Sequence, residues 1–432
     1  MGLSTRQTHY TQGHVQHDVR RFLLLYFKDI RRQTHELCAP LAVEDYVIQT
    51  MPDVSPPKWH LAHTSWFFET FLLIPFFKSY RVFHAQFGYL FNSYYETIGL
   101  FYPRAQRGLL SHPTTQAIYQ YRAYVDEHIE ELIESVAEGY WETFYNRMIL
   151  GLHHEQQHQE LMYTDIKHIY ATNPLRPVYK ATVAGASDCS AKIEWLSYNG
   201  GLVKIGHEGK DFAFDNETPR HHVYLEGFCC ASRLVTNEEY KEFIEAGGYR
   251  RPEYWLSDGW KTVNENQWMA PLYWEKIDNE WWSMTLAGMR RVDNDEPVCH
   301  VSYYEADAFA RWSGKRLLTE AEWEHAASGF EIRGNFRESG HLHPLAAQAG
   351  KSPRQIFGDV WEWTQSPYVP YPGYRTPEGA IGEYNGKFMC NQMILRGGSC
   401  VTPSTHMRVT YRNFFFPADR WQFTGIRLGE DR

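Results

Sequence analysis

The stretch YWETFYNRMILGLHHEQQHQELMYTDIKHIY, residues 140–170, decides how the first part of this chain is read. Its apolar residues recur every three or four positions, from Phe144 through Met148 and Leu152 to Met162 and Ile166, with charged and amide residues between them. That period predicts a helix with one buried stripe. Near its middle His154 and His158 stand four apart, so both imidazoles leave one helical face, about 5–6 Å apart at Cβ. Two neutral imidazole nitrogens placed this way can clasp one metal ion. A polar helix surface is the plainer reading for either residue alone, in a chain with 21 histidines.

The same string spells H-E-x-x-H through His154, Glu155 and His158, the zinc-protease signature in which the Glu is general base. The longer metzincin form needs Gly and His at 161 and 164, where this chain has Leu161 and Thr164. A third ligand must therefore come from elsewhere. His63, in Lys58-Trp59-His60-Leu61-Ala62-His63-Thr64, is the candidate. It lies in a second helical pattern, Lys58 to Phe77; Val19 to Leu37 and Thr114 to Ala137 are two more. Four amphipathic helices bury their stripes most simply as a four-helix bundle, and bundle cores commonly assemble metal sites from facing helices. Three His ligands leave coordination positions open, and imidazole alone suits zinc, iron, copper and nickel alike.

Outward from the helices the texture changes. The loop from Arg81 to Pro113 is long enough to be functional rather than merely connective, and Ala171 to Pro177 has the turn residues of a linker. Residues 1–180 hold seven of the 31 Gly and three of the 15 Trp, so the remainder is rich in both. There, short β-type runs (Leu202–Ile205, His221–Leu225, Ile394–Leu395) alternate with Gly, Pro and Asn. Helices are expected at Tyr304–Trp312 and from Thr319 to Ala327, the second opened by a Thr319/Glu322 capping box. The chain is thus expected to be multidomain, with an α bundle over 1–177 and a loop-rich α+β domain over 178–432.

Composition narrows the function. The 432 residues carry 43 Lys+Arg against 52 Asp+Glu, a formal charge of −9 without a long basic run, which excludes an electrostatic footprint for nucleic acid or anionic membrane. Trp66 to Phe77, the most hydrophobic stretch, is too short to span a bilayer and contains Glu69. Met1 to Asp18 lacks the apolar core of a signal peptide, and seven sparse Cys without a CxxC do not resemble a secreted disulfide framework. A cytoplasmic protein is expected. The aromatic content of 16% suits a pocket for a flat or cationic small molecule.

Five phrases, in order, carry a resemblance: Pro297-Val298-Cys299-His300-Val301-Ser302, Lys315-Arg316-Leu317-Leu318-Thr319-Glu320-Ala321-Glu322-Trp323-Glu324, Gly358-Asp359-Val360-Trp361-Glu362-Trp363, Leu395-Arg396-Gly397-Gly398-Ser399 and the closing Gly425-Ile426-Arg427. They resemble the formylglycine-generating-enzyme fold, which is C-type-lectin-like, while the first half resembles a DinB-type bundle. The fusion resembles the ergothioneine-biosynthesis sulfoxide synthases (EgtB type) over nearly the whole chain. The resemblance implies a non-haem iron(II) enzyme that uses O2 to join a thiol to C2 of the imidazole of Nα-trimethylhistidine (hercynine). It assigns His154, His158 and Glu160 to the family's HX3HXE pattern and His63 to its third ligand. It argues against a protease.

Further roles follow from the same resemblance. Gln157 matches a position that hydrogen-bonds the substrate imidazole. Asn413 and Phe414 fall where the family holds the trimethylammonium, which cannot donate a hydrogen bond and is suited by aromatic faces. Arg104 and Arg107 match an Arg-x2-Arg that takes substrate carboxylates. Two positions after Asn413, the branch using γ-glutamylcysteine has an acidic residue; this chain has Phe415, which favours free cysteine as sulfur donor. In the cysteine-using branch a Tyr-Tyr pair is expected in the bundle-domain loop, and Tyr94 and Tyr95 provide it as the proton or hydrogen-atom source, with Tyr371 and Tyr374 as the next candidates. Formylglycine-generating activity is not expected, because Cys390 and Cys400 are isolated from any partner Cys in sequence. Remaining alternatives are a 5-histidylcysteine sulfoxide synthase, a selenium–imidazole (selenoneine) synthase, a zinc DinB-type thiol transferase or hydrolase, and a non-catalytic binding module.

Overall fold

The computed structural model describes residues 4–181, 192–348 and 353–432, with side chains from Asp18 onward. The chain divides into two compact units, Met1–Met162 and Tyr163–Arg432.

In the first unit the helices are α1 (Ser4–Cys38), α2 (Pro57–Phe68), α3 (Ile74–Phe76), α4 (Phe87–Phe91), α5 (Thr115–Ser135) and α6 (Trp141–Thr172), the last continuing past the division. Along α1, Leu23, Phe27, Ile30, Thr34 and Leu37 are buried at spacings of four and three, the stripe expected of a bundle helix. Thr114 caps α5 by accepting from the Ala117 N–H, as a Thr before an amphipathic run should. Pro57 sits in the first turn of α2, where its missing N–H costs nothing. Every residue of α2 is buried, polar ones included. The helices match the sequence expectation with two refinements, the first being that α1 begins at Ser4 rather than Val19. The run expected from Lys58 to Phe77 is interrupted by a π-helical turn, Glu69–Leu73, between α2 and α3. Inside the loop from Arg81 to Pro113 the chain forms α4 and a 3₁₀ turn, Arg104–Leu109, because Phe87 and Phe91 have a core to enter.

The second unit contains strands β1 (Trp195–Tyr198), β2 (Gly201–Ile205), β3 (His221–Leu225) and β4 (Phe228–Ala231), then α7 (Asn237–Glu245) and α8 (Ser257–Glu265). After these come β5 (Trp274–Ile277), β6 (Glu280–Thr285), β7 (Gly288–Arg291), α9 (Tyr303–Trp312), β8 (Arg316–Leu317), α10 (Glu320–Ala327), β9 (Trp361–Pro367), β10 (Met393–Arg396), β11 (Asn413–Phe415), β12 (Thr424–Gly425) and β13 (Leu428–Asp431). They form sheets of order β1-β4-β13-β8 and β11-β10-β9-β12, a β2-β3 hairpin and a β5-β6-β7 meander. Thr319 caps α10 with Glu322 completing the box, as read from sequence, and Ser302 with Glu305 does the same for α9. The sequence reading passed over the meander, although Asp278 and Asn279, at φ 49° and 64°, make the two-residue turn that such hairpins require.

The five sequence phrases meet as a buried frame, the first of them where Trp363 Nε1 donates to the Val301 carbonyl at 2.9 Å. Glu362 accepts from Trp323 Nε1 at 2.8 Å and from Arg427 Nε at 2.8 Å. Arg396 donates to Glu324 at 2.6 Å, and Arg412 to Glu320 at 2.7 Å. Each of these buried charges has a counterion with hydrogen bonds, the condition under which burial of ions is tolerated. The cation of Lys167 is held differently. Lys167, near the end of α6, is buried with Nζ 2.6 Å from His300 Nε2 and 4.7 Å from the Phe423 ring centre. Burial pushes its amine down from 10.5 to about 8. Among the described residues no helix is long and apolar enough to cross a membrane.

Candidate metal centre

Helices α2 and α6 of the first unit bring His63, His154 and His158 together. His63 Nε2 lies 3.2 Å from His154 Nε2, and His158 Nε2 lies 3.1 Å from that same atom. Imidazole nitrogens about 2.0–2.1 Å from an ion, at right angles to one another, stand about 3 Å apart, so these spacings suit three ligands on adjacent positions. Two of the rings have their far nitrogen engaged. His63 Nδ1 donates to the Phe91 carbonyl at 2.6 Å, and His158 Nδ1 faces His60 Nδ1 at 2.8 Å. Burial, reinforced by neighbouring imidazoles, holds His63 and His158 well below the usual histidine range, and burial pushes His154 down to about 3. The uncharged ring is the form a metal needs. Among the described residues no other set of three His, Cys, Asp or Glu side chains converges in this way. The donor set therefore fits a divalent transition ion, without choosing among those that imidazole suits.

The surroundings stiffen this cluster. Trp59 stacks on His63 at 4.5 Å between ring centres and 12°, Trp66 stacks on the same imidazole at 5.5 Å and 17°, and Phe67 lies 4.4 Å from His154. Glu155, the second letter of H-E-x-x-H, is fully buried in a clamp of Arg31 Nη1 at 2.8 Å, Thr34 Oγ1 at 2.6 Å and the Arg122 guanidinium. The Arg122 and Arg31 charges outweigh burial and hold its carboxyl down to about 2. A carboxylate so neutralised is a structural counterion; it cannot serve as the general base of a zinc protease.

The loop candidates separate by burial. Arg107 is 5% exposed, with its guanidinium 3.3 Å above the Trp59 ring and Nη1 2.9 Å from Ser55 Oγ. Arg104, by contrast, is exposed and meets Asp53. Gln157 is half-buried on α6. Tyr95 is fully buried against Trp66 and Phe71, at 5.6 and 5.2 Å, and the half-buried Tyr94 stacks on it at 4.6 Å.

In the second unit, Asn413, Phe414 and Phe415 form β11, paired with Leu395, Ile394 and Met393 of β10. Strand alternation puts Asn413 and Phe415 on one face and Phe414 on the other. Phe414 stacks on Tyr368 at 4.0 Å and 9°, whereas Phe415 meets Trp421 at 6.0 Å. Tyr371 bonds Glu320, and Tyr374 bonds Asp215 at 2.7 Å. Cys390 is exposed and Cys400 buried. The reading from sequence missed His60, Trp59 and Trp66. Their signal was the i, i+3 spacing of His60 and His63 within a helix too apolar for a surface.

Comparison with known proteins agrees with this architecture. Residues 26–162 match the DinB superfamily, and residues 183–355 and 352–432 match the sulfatase-modifying factor enzyme 1-like domain. The hercynine oxygenase of Mycolicibacterium smegmatis is 33% identical over 318 residues, 66% of this chain and 72% of that protein. The hercynine oxygenase of Mycolicibacterium thermoresistibile is 31% identical over 369 residues, covering 76% and 78%. Ergothioneine biosynthesis protein 1 of Schizosaccharomyces pombe is 28% identical over 248 residues, 51% of this chain and 28% of that protein. A DinB-type bundle with three convergent imidazoles, joined to a sulfatase-modifying-factor-type domain, defines a class of metal-dependent oxygenases. Within that class, the chain belongs to the hercynine oxygenase family.

Proposed function

We propose that the chain is an iron(II)- and O2-dependent sulfoxide synthase that joins the sulfur of cysteine to C2 of the hercynine imidazole. The reaction removes the C2–H and S–H hydrogens, forms one C–S bond and one S–O bond, and reduces the second oxygen atom to water, so atoms and electrons balance. What carries the reading is the convergence of His63, His154 and His158 in a chain of this family. Bound iron(II) supplies the one-electron chemistry through which O2 reacts with closed-shell substrates.

The chain's residues do the rest. Residues 1–177 hold the ion and 178–432 supply a substrate-binding wall. Arg107 and Arg104 take a substrate carboxylate; Arg107, pre-oriented on Trp59, loses less freedom on binding and carries the larger share. Gln157 hydrogen-bonds the imidazole, and the β11 pair Asn413 and Phe414 serves the trimethylammonium subsite from opposite strand faces, so that only one of the two touches the cation and the other, as Phe414 does against Tyr368, supports the strand. Phe415, with no charge to offer an ammonium, selects cysteine over γ-glutamylcysteine. Tyr94, the more open of the stacked pair, gives up the phenolic proton or hydrogen atom, while Tyr95 holds its ring in place.

The test is anaerobic reconstitution with iron(II), followed by O2, hercynine and cysteine, with product mass and O2 uptake recorded. A product equal to both substrates minus two hydrogens plus one oxygen is expected. His63→Ala, His154→Ala and His158→Ala should each lose most bound iron and all turnover. Activity supported by zinc but not iron(II), or product formed without O2 uptake, overturns the proposal.

A further inference from the structure

Metal-binding imidazoles need their second nitrogen tied down, and one of the three is tied in an unusual way. His158 turns Nε2 toward His154, so the nitrogen left for an outer partner is Nδ1. That partner is another imidazole, His60 Nδ1 at 2.8 Å, with the two ring centres 5.1 Å apart and the planes at 59°. His60 is 2% exposed and sits three residues before His63 on α2, hence on the same helical face. Trp59 closes on both rings, 5.7 Å from His60 and 6.1 Å from His158.

A proton lies between the two Nδ1 atoms, and which ring owns it decides whether His158 can bind an ion. If His60 donated, the proton of neutral His158 would sit on Nε2 and block the lone pair. We propose that His60 is a positioning residue for the metal centre: its Nδ1 accepts from His158 Nδ1–H, which fixes His158 as the tautomer with Nε2 free for the ion. His60 then carries its own proton on Nε2. Outer partners of this kind usually are carboxylates or backbone carbonyls, and their loss typically weakens metal binding about 10–100-fold. Here an imidazole takes that place. Because it is on the helix that carries His63, α2 supplies one ligand directly and orients a second. The inference rests on the three-histidine centre proposed above.

The test measures cobalt(II) affinity of the full chain by chelator competition, with melting temperature recorded for every variant. His60→Phe keeps the ring and deletes the acceptor, and should bind cobalt(II) about 10–100-fold more weakly. His60→Asn, whose side-chain oxygen falls near the Nδ1 position, should recover most of that loss. Unchanged affinity in His60→Phe, or equal loss in the Asn variant, overturns the inference. His63→Ala separates this from the parent reading, because wild-type affinity there would remove the metal centre itself. Should His60→Phe fail to fold, histidine nitrogen NMR of the zinc-loaded wild-type chain decides the matter. A protonated Nδ1 on His158 supports the assignment, and a protonated Nε2 refutes it.

Discussion

Replacing Glu155 by Gln tests whether the H-E-x-x-H string encodes catalysis or architecture. Glu155 is fully buried, and its carboxylate faces Arg31, Arg122 and Thr34. Gln keeps the shape but removes the charge, so Arg122 loses its buried counterion and Arg31 keeps only Asp126. Breaking one partner of a buried ion pair costs about 3–5 kcal/mol. The second route to the magnitude is acid–base linkage. The carboxyl drops from an ordinary 4.5 to about 2, and that difference of about 2.5, at about 1.4 kcal/mol each, is about 3 kcal/mol. The two routes agree. For a unit of this size, about 3 kcal/mol lowers the melting temperature by about 6–12 °C. Because the folded pKa is depressed, this stabilisation is complete above about pH 4.5 and disappears as pH falls toward 2. Thermal melts at pH 7, 5 and 3 should therefore show wild type converging on Glu155→Gln as the solution becomes acid. A Gln variant that melts like wild type at pH 7 while losing activity would refute the argument, because it would make Glu155 a reacting group.

Arg107→Leu should raise the apparent KM for a carboxylate-bearing substrate more than Arg104→Leu, since only Arg107 is buried and stacked; loss of one charge-assisted contact is worth about 1.5–3 kcal/mol, and equal KM values would undo the ranking. Tyr94→Phe should keep metal content and O2 uptake but divert turnover from sulfoxide toward oxidised cysteine, whereas Tyr95→Phe, which keeps the ring packed on Trp66 and Phe71, should leave the product ratio close to wild type; an unchanged product ratio in both removes the pair from the chemistry. For Lys167 the folded pKa, about 8, lies below the unfolded 10.5, so stability from this group rises between those values. Urea unfolding at pH 7.5 and 10 should show a gain of about 2 kcal/mol in wild type that Lys167→Met lacks, and parallel curves would contradict a buried charged amine.

Several of these features were readable in the sequence because they are local. The apolar period predicted the long helices, and Thr319 with Glu322 predicted the start of α10. The i, i+4 pair His154 and His158 announced itself by spacing alone. His63 was named as third candidate from its place on a facing helix, and the family resemblance then gave it the ligand role, since nothing local distinguishes it from His60 on a helix buried on every face. Glu155 was misleading for the same reason in reverse. Its meaning depends on Arg31, 124 residues away, and Arg122, 33 residues away, which no window contains. The π-helical turn at Glu69–Leu73 has no sequence signature; it exists where Glu69 accepts from Tyr121 at 2.6 Å. Asn413 and Phe414 are neighbours in the chain yet face opposite ways, a separation that only strand pairing reveals.

Two of the three tryptophans of residues 1–162 are stacked against the imidazole of His63. Indole emission is quenched at short range by ions with partly filled d shells, through energy and electron transfer, and far less by a closed-shell ion. The centre therefore comes with its own optical reporter. Loading with iron(II) or cobalt(II) should dim the emission of Trp59 and Trp66, loading with zinc should leave it bright, and occupancy can be followed in real time without any label.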